Sequence, residues 1–271
     1  MKLIRYAADD HVQYGVLDGS DILAMDGDPF ADFSIGRLIG TIRDVQLLPP
    51  CVPTKIIAVG LNYTDPSQDR LPPLPDEPIL SFKPPSSAIG SGAPIVWPKT
   101  SSRVDFEGEV AVVIGRTARN VEPHDVARYV LGVTCANDVT ARDLQRREGQ
   151  WAKAKGFDTF CPLGPCIDTT VDPTSCTLIT RVNREVRQST STESLHFGAY
   201  LLVSYISKIM TLCPGDVILT GTPPGTGPLK VGDVVEVEVE GVGVLWNPVV
   251  AEECRTNVRD NGTRSASEAG R

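Results

Sequence analysis

Residues 104–115 read VDFEGEVAVVIG, an apolar run rich in β-branched residues that predicts a buried strand. Successive strand side chains point to opposite faces, so Glu107 and Glu109 should emerge on the same side, about 7 Å apart along the strand. Burying two unpaired carboxylates is costly, and a hard divalent ion such as Mg²⁺ offsets that cost through oxygen ligation. The pair therefore predicts a metal site. The alternative is an exposed edge strand whose charges are satisfied by water or by Arg103.

A third carboxylate, Asp138, follows another predicted strand. The apolar run YVLGVTC (residues 129–135) has the composition of a strand, and Asp138 lies in the segment ANDVTARDLQ (residues 136–145) directly after it. Functional side chains collect in the loops at strand ends. Asp138 is therefore a candidate third ligand for the same ion.

Two turns rich in glycine and proline supply further candidate residues. The segments AKAKGFDTFCPLGP (residues 152–165) and GDVILTGTPPGTG (residues 215–227) place Lys155, Asp158 and Thr222 in loops. Lysine is also an ordinary surface residue, so its position in the motif carries the argument more than its type. We treat these three residues as candidates for binding or catalysis.

Composition excludes several classes of protein. The chain has 271 residues, enough for one or two domains with a sizeable core, and a net charge of −8 without a basic block. That charge argues against nucleic acid, whose phosphates bind Lys and Arg. The sequence lacks both an apolar run near 18 residues and a signal-peptide core, which predicts no membrane partner and a cytoplasmic location. Seven scattered cysteines without a CxxC pair predict reduced thiols.

Changes in composition along the chain predict two modules and a tail. Residues 1–50 alternate short strand-like segments with a predicted helix near residues 35–42 and form a small N-terminal α+β module. Residues 51–254 form the larger module. Its predicted helices cover residues 122–130 and 195–210, and the rest is strand and turn, which gives a mainly β fold with a few helices (α+β). Residues 255–271 are polar and aperiodic, which predicts a flexible tail.

Seven blocks of sequence, taken in order, resemble the fumarylacetoacetate hydrolase family. The blocks span residues 55–249 and read KIIAVGLNY, ILSFKPPSSAIG, VDFEGEVAVVIG, ANDVTARDLQ, KGFDTFCPLGP, PGDVILTGTPPG and GDVVEVEVEGVGVLWNPV. The resemblance implies a metal-dependent enzyme of the small two-part bacterial type. It also implies a mixed β-roll or barrel core behind a small N-terminal domain, and assembly as a homodimer.

The resemblance also implies roles for individual residues. The cofactor would be Mg²⁺, with Mn²⁺ as the alternative and Ca²⁺ as an ion that can replace it in crystals. Lys155 would be catalytic, with Asp158 placed beside it in the same block as a substrate-binding candidate. The remaining positions that match the family pattern are the metal ligands Glu107, Glu109 and Asp138, and the substrate-binding residues Arg142, Gln145 and Thr222.

One block departs from the family pattern. Hydrolytic members carry a histidine and a glutamate on a short lid helix, but this chain reads GLNYTDPSQD, with Pro66 and Asp69 at those two positions. Proline cannot act as a general base, which leaves Asp69 as a substitute candidate. The proline-rich residues 65–77 predict a lid loop in place of the helix. For His196, in a block that the family also has near its site, we favour a structural role.

The sequence supports enolate chemistry as the leading hypothesis. A metal held by three carboxylates can take a 2-oxo or β-diketo acid and stabilise the enolate formed when it decarboxylates, tautomerises or enters a specialised biosynthetic step. Lys155 would add positive charge beside the enolate, and Arg142 would pair a substrate carboxylate. One alternative is a carbon–carbon hydrolase of the acylpyruvate or fumarylacetoacetate type, with Asp69 or His196 as its base. The other is a catalytically retired homologue that binds a metabolite, although a retired site has no reason to keep three carboxylates.

Overall fold

The computed structural model describes residues 1–8, 11–64 and 74–253 of the chain. Strands dominate these ranges, which confirms the mainly β prediction. The strands from the N-terminus are β1 (Lys2–Ala8), β2 (His11–Asp18), β3 (Asp21–Gly27), β4 (Phe33–Thr41), β5 (Gln46–Leu47), β6 (Ile56–Gly60), β7 (Ile79–Lys83), β8 (Ala88–Ile89), β9 (Ile95–Trp97), β10 (Val104–Phe106) and β11 (Gly108–Ile114). They continue as β12 (Val130–Asn137), β13 (Thr140–Ala141), β14 (Cys161–Asp168), β15 (Thr177–Val182), β16 (Glu185–Ser191), β17 (Val217–Leu219), β18 (Gly227–Pro228), β19 (Val234–Val239) and β20 (Gly243–Ala251).

Helices are few and short. The α-helices are α1 (Arg142–Arg147), α2 (Ala152–Lys155) and α3 (Ala199–Ile209), and the 3₁₀ helices are Pro85–Ser87, Pro123–Arg128 and Thr192–Ser194. The second 3₁₀ helix and α3 confirm helical structure in both segments of the larger module for which it was predicted. Within the described ranges, no helix is both long enough and apolar enough to cross a membrane.

The strands form three mixed sheets. The largest has twelve strands in the order β4-β3-β2-β1-β14-β12-β11-β17-β6-β7, with β5 beside β1 and β8 beside β14. The other two have the orders β13-β10-β18 and β16-β15-β19-β20-β9. Since the path of the largest sheet ends at β4 on one side and β7 on the other, its described strands form an open sheet. The barrel element of the expected core is therefore corrected to packed open sheets.

The central strand β11 is buried on both faces, and this explains its unbroken apolar sequence. Val112 and Ile114 pack on one face with apolar residues of β6, β17 and α3. Ala111 and Val113 pack on the opposite face in a second cluster. Burying each large aliphatic side chain contributes roughly 1.5–3 kcal/mol, so the doubly covered strand is a rigid base for the residues at its ends.

The N-terminal segment continues the large sheet. Strand β1 pairs with β14, so the sheet runs across the predicted module boundary near residue 50. The helix predicted near residues 35–42 was wrong, because that segment is β4 and pairs antiparallel with β3. Gly36, Gly40 and three isoleucines lie in residues 35–42, and such residues are poor helix formers. The neighbouring strand therefore determines its structure.

Candidate active site

Four strands of the large sheet bring their loops to one edge. β11 runs antiparallel to β12 and β17, and β17 runs parallel to β6. The start of β11 therefore lies beside the ends of β12, β17 and β6. The predicted ligands sit at this edge, because Glu107 immediately precedes β11, Glu109 is its second residue, and Asp138 immediately follows β12. A backbone hydrogen bond of 2.8 Å from Asp138 N to Glu107 O fixes the two loops together.

The three predicted metal ligands form one cluster. One carboxylate oxygen from each of Glu107, Glu109 and Asp138 lies within 4.8 Å of the others. Their side chains are buried, with exposed fractions of 6%, 1% and 2% respectively. The predicted strand is interrupted at Glu107, between β10 and β11, and the two glutamates nevertheless converge as their spacing indicated.

Two buried lysines hold Asp138 from opposite sides. Lys155, the last residue of α2, donates from Nζ to Glu107 Oε2 at 3.0 Å and to Thr140 Oγ1 at 3.1 Å, and it also contacts Asp138 Oδ2. Lys83 lies 2.7 Å from Asp138 Oδ1. Burial alone would raise the pKa of Asp138, but the two ammonium groups bring it below its usual range. Asp138 is therefore an anion, and both lysines are its counter-ions.

Glu109 has the least favourable electrostatic environment of the three. Burial first, and then repulsion from Asp138 and Glu107, raise its pKa well above the ordinary value. Its Oε2 accepts a hydrogen bond from Gly221 N at 2.6 Å, and within the described ranges it forms no ion pair. A cation bound beside Glu109 would remove this penalty.

The donor set fits a hard divalent ion. All three candidate ligands are carboxylate oxygens, which suit Mg²⁺ or Mn²⁺. The repulsion among them is partly offset by Lys83, Lys155 and Arg142, so repulsion alone is a weaker argument for a metal than the sequence suggested. The stronger argument is the buried carboxylate of Glu109, which forms no ion pair within the described ranges.

Arg142 and Gln145 lie on α1, beside the same cluster. Arg142 contacts Glu107 Oε1 through Nη2 and donates from Nη1 to Gln145 Oε1 at 2.6 Å. Both residues line a cavity of about 430 Å³ together with the three carboxylates and Lys155. The structure therefore gathers the predicted metal ligands and these predicted substrate-binding residues around one space.

Thr222 also lines this cavity, but its hydroxyl is already engaged. It donates to Gly108 O at 2.9 Å and accepts from Gln188 Nε2 at 2.8 Å. Gln188 in turn accepts from Gly108 N at 3.1 Å, so one buried amide fastens the loop after β17 to the start of β11. A side chain at Gly108 would collide with Thr180. The hydrogen bonds of Gln188 and Thr222 therefore hold the loop after β17 close to the carboxylates.

Tyr63 contributes a buried hydroxyl that sequence reasoning missed. The residue is 6% exposed and lines the cavity. Its hydroxyl has no hydrogen-bond partner in the described part of the chain. Burial, followed by the charge of Glu109, raises the pKa of Tyr63, so the phenol remains protonated. It is available to donate a hydrogen bond to a bound molecule.

Other candidates lie elsewhere or outside the description. Asp158 is exposed and is absent from the described residues that line the cavity. His196 is exposed as well, and its Nε2 lies 3.1 Å from Pro75 O. Asp69 and Pro66 fall outside the described residues, as do most of the predicted lid loop and the predicted tail.

Gly221 is expected to be intolerant of a side chain. Its φ of +105° is strained for other residues, and an added Cβ would lie 2.8 Å from the Cβ of Asn62. We expect Gly221→Ala to lower the free energy of unfolding by about 1–3 kcal/mol and to weaken metal binding, because Gly221 N holds Glu109. Thermal unfolding and calorimetric Mn²⁺ titration measure the two effects. Gly232→Ala is the control, since its φ is +97° and nothing lies within 4 Å of its added Cβ. Equal effects in both variants would assign the loss to backbone strain alone.

Comparison with known proteins identifies the class. Residues 55–250 match the family model described as fumarylacetoacetate (FAA) hydrolase C-terminal, and residues 1–50 match the one described as Rv2993c-like, N-terminal. The first match covers most of the chain. The chain therefore belongs to the fumarylacetoacetate hydrolase family, whose named members are enzymes, and the resemblance seen in the sequence is confirmed.

Three individual proteins illustrate this similarity. The chain is 45% identical over 215 residues to the mitochondrial oxaloacetate tautomerase Fahd2a of Rattus norvegicus, covering 76% of this chain and 69% of the relative. A crystal structure of 5-carboxymethyl-2-hydroxymuconate delta-isomerase from Mycobacterium smegmatis is 44% identical, with a TM-score of 0.87 and coverage of 93% and 100%. Maleylpyruvate hydrolase from Sphingobium sp. SYK-6, solved with manganese(II) and pyruvate, is 28% identical, with a TM-score of 0.78 and the same coverage.

Proposed function

We propose that this chain is a divalent-metal-dependent tautomerase of a small 2-oxo dicarboxylic acid such as oxaloacetate. The observation that carries the proposal is the cluster of Glu107, Glu109 and Asp138 in one cavity with the cations Lys155 and Arg142. Similarity to a tautomerase and to an isomerase supports this reaction over decarboxylation. The metal is Mg²⁺ or Mn²⁺ in this proposal.

Each residue has a definite task in the proposed reaction. Glu107, Glu109 and Asp138 would hold a divalent ion, which would supply Lewis acidity to the 2-oxo group. Arg142 binds the second carboxylate of the substrate, for which a planar guanidinium is well shaped. Burial would lower the pKa of Lys155, but Asp138 and Glu107 raise it above the ordinary value, which favours a positive charge at this end of the cavity.

The hydrolase alternative needs a base that activates water. His196 does not supply one from its described position, because it is exposed and faces Pro75 O rather than the cavity. Tautomerisation also needs a base for the proton on carbon and an acid for the oxygen, but the proton returns to the same substrate and no water has to be activated. The described side chains therefore fit a tautomerase better than a hydrolase, because a tautomerase needs no base that activates water.

An assay with oxaloacetate tests the proposal directly. Purified protein loaded with Mg²⁺ or Mn²⁺ should accelerate the decay of the enol absorbance without releasing pyruvate, which a coupled lactate dehydrogenase assay would detect. Acylpyruvates should be cleaved slowly or not at all. Stoichiometric pyruvate release would make the chain a decarboxylase, and efficient acylpyruvate cleavage would make it a hydrolase.

Tyr63→Phe tests the role of the unpaired hydroxyl. We expect kcat for tautomerisation to fall about tenfold, the effect of losing one hydrogen bond of about 1.4 kcal/mol to a developing charge. Stability should not fall, because the hydroxyl has no partner to lose within the described part of the chain. Tyr6→Phe is the control, since that hydroxyl bonds Gln13 at 3.2 Å outside the cavity. An unchanged kcat in Tyr63→Phe would remove Tyr63 from the reaction.

A further inference from the structure

A buried carboxylate outside the metal cluster lies between two arginines. Asp105 is 1% exposed, and it accepts hydrogen bonds from Nε and Nη2 of Arg103 at 2.8 and 3.0 Å. Its Oδ2 also accepts from Nε of Arg142 at 2.9 Å. Arg103 is part-exposed, with 39% of its side chain accessible, whereas only 16% of the Arg142 side chain is accessible. The carboxylate of Asp105 therefore links the more buried Arg142 to the more exposed Arg103.

The backbone around Asp105 is equally constrained. Asp105 is the middle residue of β10 and pairs with Thr140 of β13 on one side and with Pro228 of β18 on the other. The backbone N–H of Arg142 donates to Arg103 O at 2.9 Å. The carboxylate and the guanidinium therefore approach each other from two segments that cannot slide apart.

Within the described residues, three of the five guanidinium donors of Arg142 are held by protein groups. Asp105 takes Nε, Gln145 takes one hydrogen of Nη1, and Glu107 takes one hydrogen of Nη2. One hydrogen on each terminal nitrogen has no partner in the described ranges, and we take these two hydrogens as the ones that meet a ligand. Arg142 lines the cavity, whereas Asp105 lies behind it and is not among the lining residues.

We infer that Asp105 is a positioning residue that sets the specificity for dicarboxylic over monocarboxylic acids. It fixes the Nε edge of Arg142, so that the two terminal nitrogens meet the distal carboxylate of the substrate. The inference rests on the proposed function, in which Arg142 binds that carboxylate. Asp105 itself touches no substrate.

Binding of two unreactive hydroxy acids tests the inference without requiring turnover. L-Malate and L-lactate differ by the distal carboxylate, and neither has a 2-oxo group to tautomerise. With Mn²⁺-loaded protein, calorimetry should show that Asp105→Asn raises the Kd of malate about tenfold and changes that of lactate less than twofold, because a misplaced guanidinium loses a charge-assisted hydrogen bond. For oxaloacetate, KM should rise similarly, with kcat changed less than threefold.

Asp143→Asn is the matched control. Asp143 lies next to Arg142 in sequence, but its carboxylate accepts from Ser101 Oγ at 2.6 Å and Ser102 N at 3.1 Å instead. This control should keep the parental ratio of malate to lactate affinity. If Asp105→Asn does not fold, Asp105→Glu, which displaces the carboxylate by one methylene, should also weaken malate selectively.

Two outcomes overturn the inference. Equal weakening of malate and lactate by the Asp105 variants would make Asp105 a purely structural residue, and an unchanged malate Kd would show that Arg142 needs no such support. Failure of the parent protein to tautomerise oxaloacetate is a separate result. It would reject the proposed reaction, while the comparison of malate with lactate still decides the role of Asp105.

Discussion

Glu107→Gln and Asp138→Asn are each expected to abolish divalent metal binding and, with it, turnover. Each substitution replaces a charged oxygen ligand by a neutral amide in a cluster whose oxygens lie within 4.8 Å of one another. Removing a group that merely supports a metal ligand typically lowers affinity about 10- to 100-fold, and losing a ligand itself should cost more. Calorimetric titration with Mn²⁺, elemental analysis and the enol assay measure the loss.

Folding must be measured alongside metal binding in these variants. Glu107 and Asp138 both pair with Lys155, and removing one partner of a buried ion pair typically costs about 3–5 kcal/mol. Asp168→Asn is the control, since Asp168 is a buried carboxylate that faces Lys2 at 3.5 Å, away from the cavity. Full activity of the parent after exhaustive chelation, with no metal found by elemental analysis, would contradict the metal prediction.

The metal cluster could be predicted because its geometry is mostly local. Strand alternation puts Glu107 and Glu109 on one side, and a strand end puts Asp138 in a loop. The three carboxylates then come together if β11 and β12 pair antiparallel. The two strands do so, starting from the pair Gly108 and Asn137. The family resemblance supplied Arg142, Gln145 and Thr222, which also line the cavity.

The residues that support the site could not be found in this way, because their partners are distant in sequence. Lys83 and Asp105 both lie in motifs that were quoted, but nothing local indicates that Lys83 would be buried against Asp138 or that Asp105 would bind Arg142, 37 residues away. Gln188 contacts Gly108 from a strand 80 residues away.

The mistaken helix at residues 35–42 has a related cause. Its apolar spacing fits a helix, but a helix there would leave β3 without a partner on that side. The sheet edge supplies backbone hydrogen bonds that helix propensity cannot outweigh. Pairing with other parts of the chain therefore determines both the strand β4, which was predicted as a helix, and the contacts of the residues that support the site.

Lys155→Met is expected to lower kcat for tautomerisation by about a hundred- to a thousandfold, the range for removing one charge stabiliser from a developing oxyanion. The methylene stem is replaced by one of similar length, so the loss comes from the ammonium group. That group now contacts Glu107, Asp138 and Thr140 in a buried position. Since all three predicted metal ligands remain, the variant should still bind Mn²⁺, and this separates its effect from that of the carboxylate variants.

The same short helix, α2, provides the matched control. Lys153 is exposed and pairs with Glu148 at 3.1 Å, so Lys153→Met removes the same charge by the same substitution outside the cavity. It should keep the parental kcat, because exposed pairs contribute little. A Lys155→Met enzyme with parental kcat would reduce Lys155 to a structural counter-ion of Asp138. A variant that is inactive and also metal-free would instead place Lys155 in the support of the metal site, because its charge would then be needed to hold the carboxylates in their binding geometry.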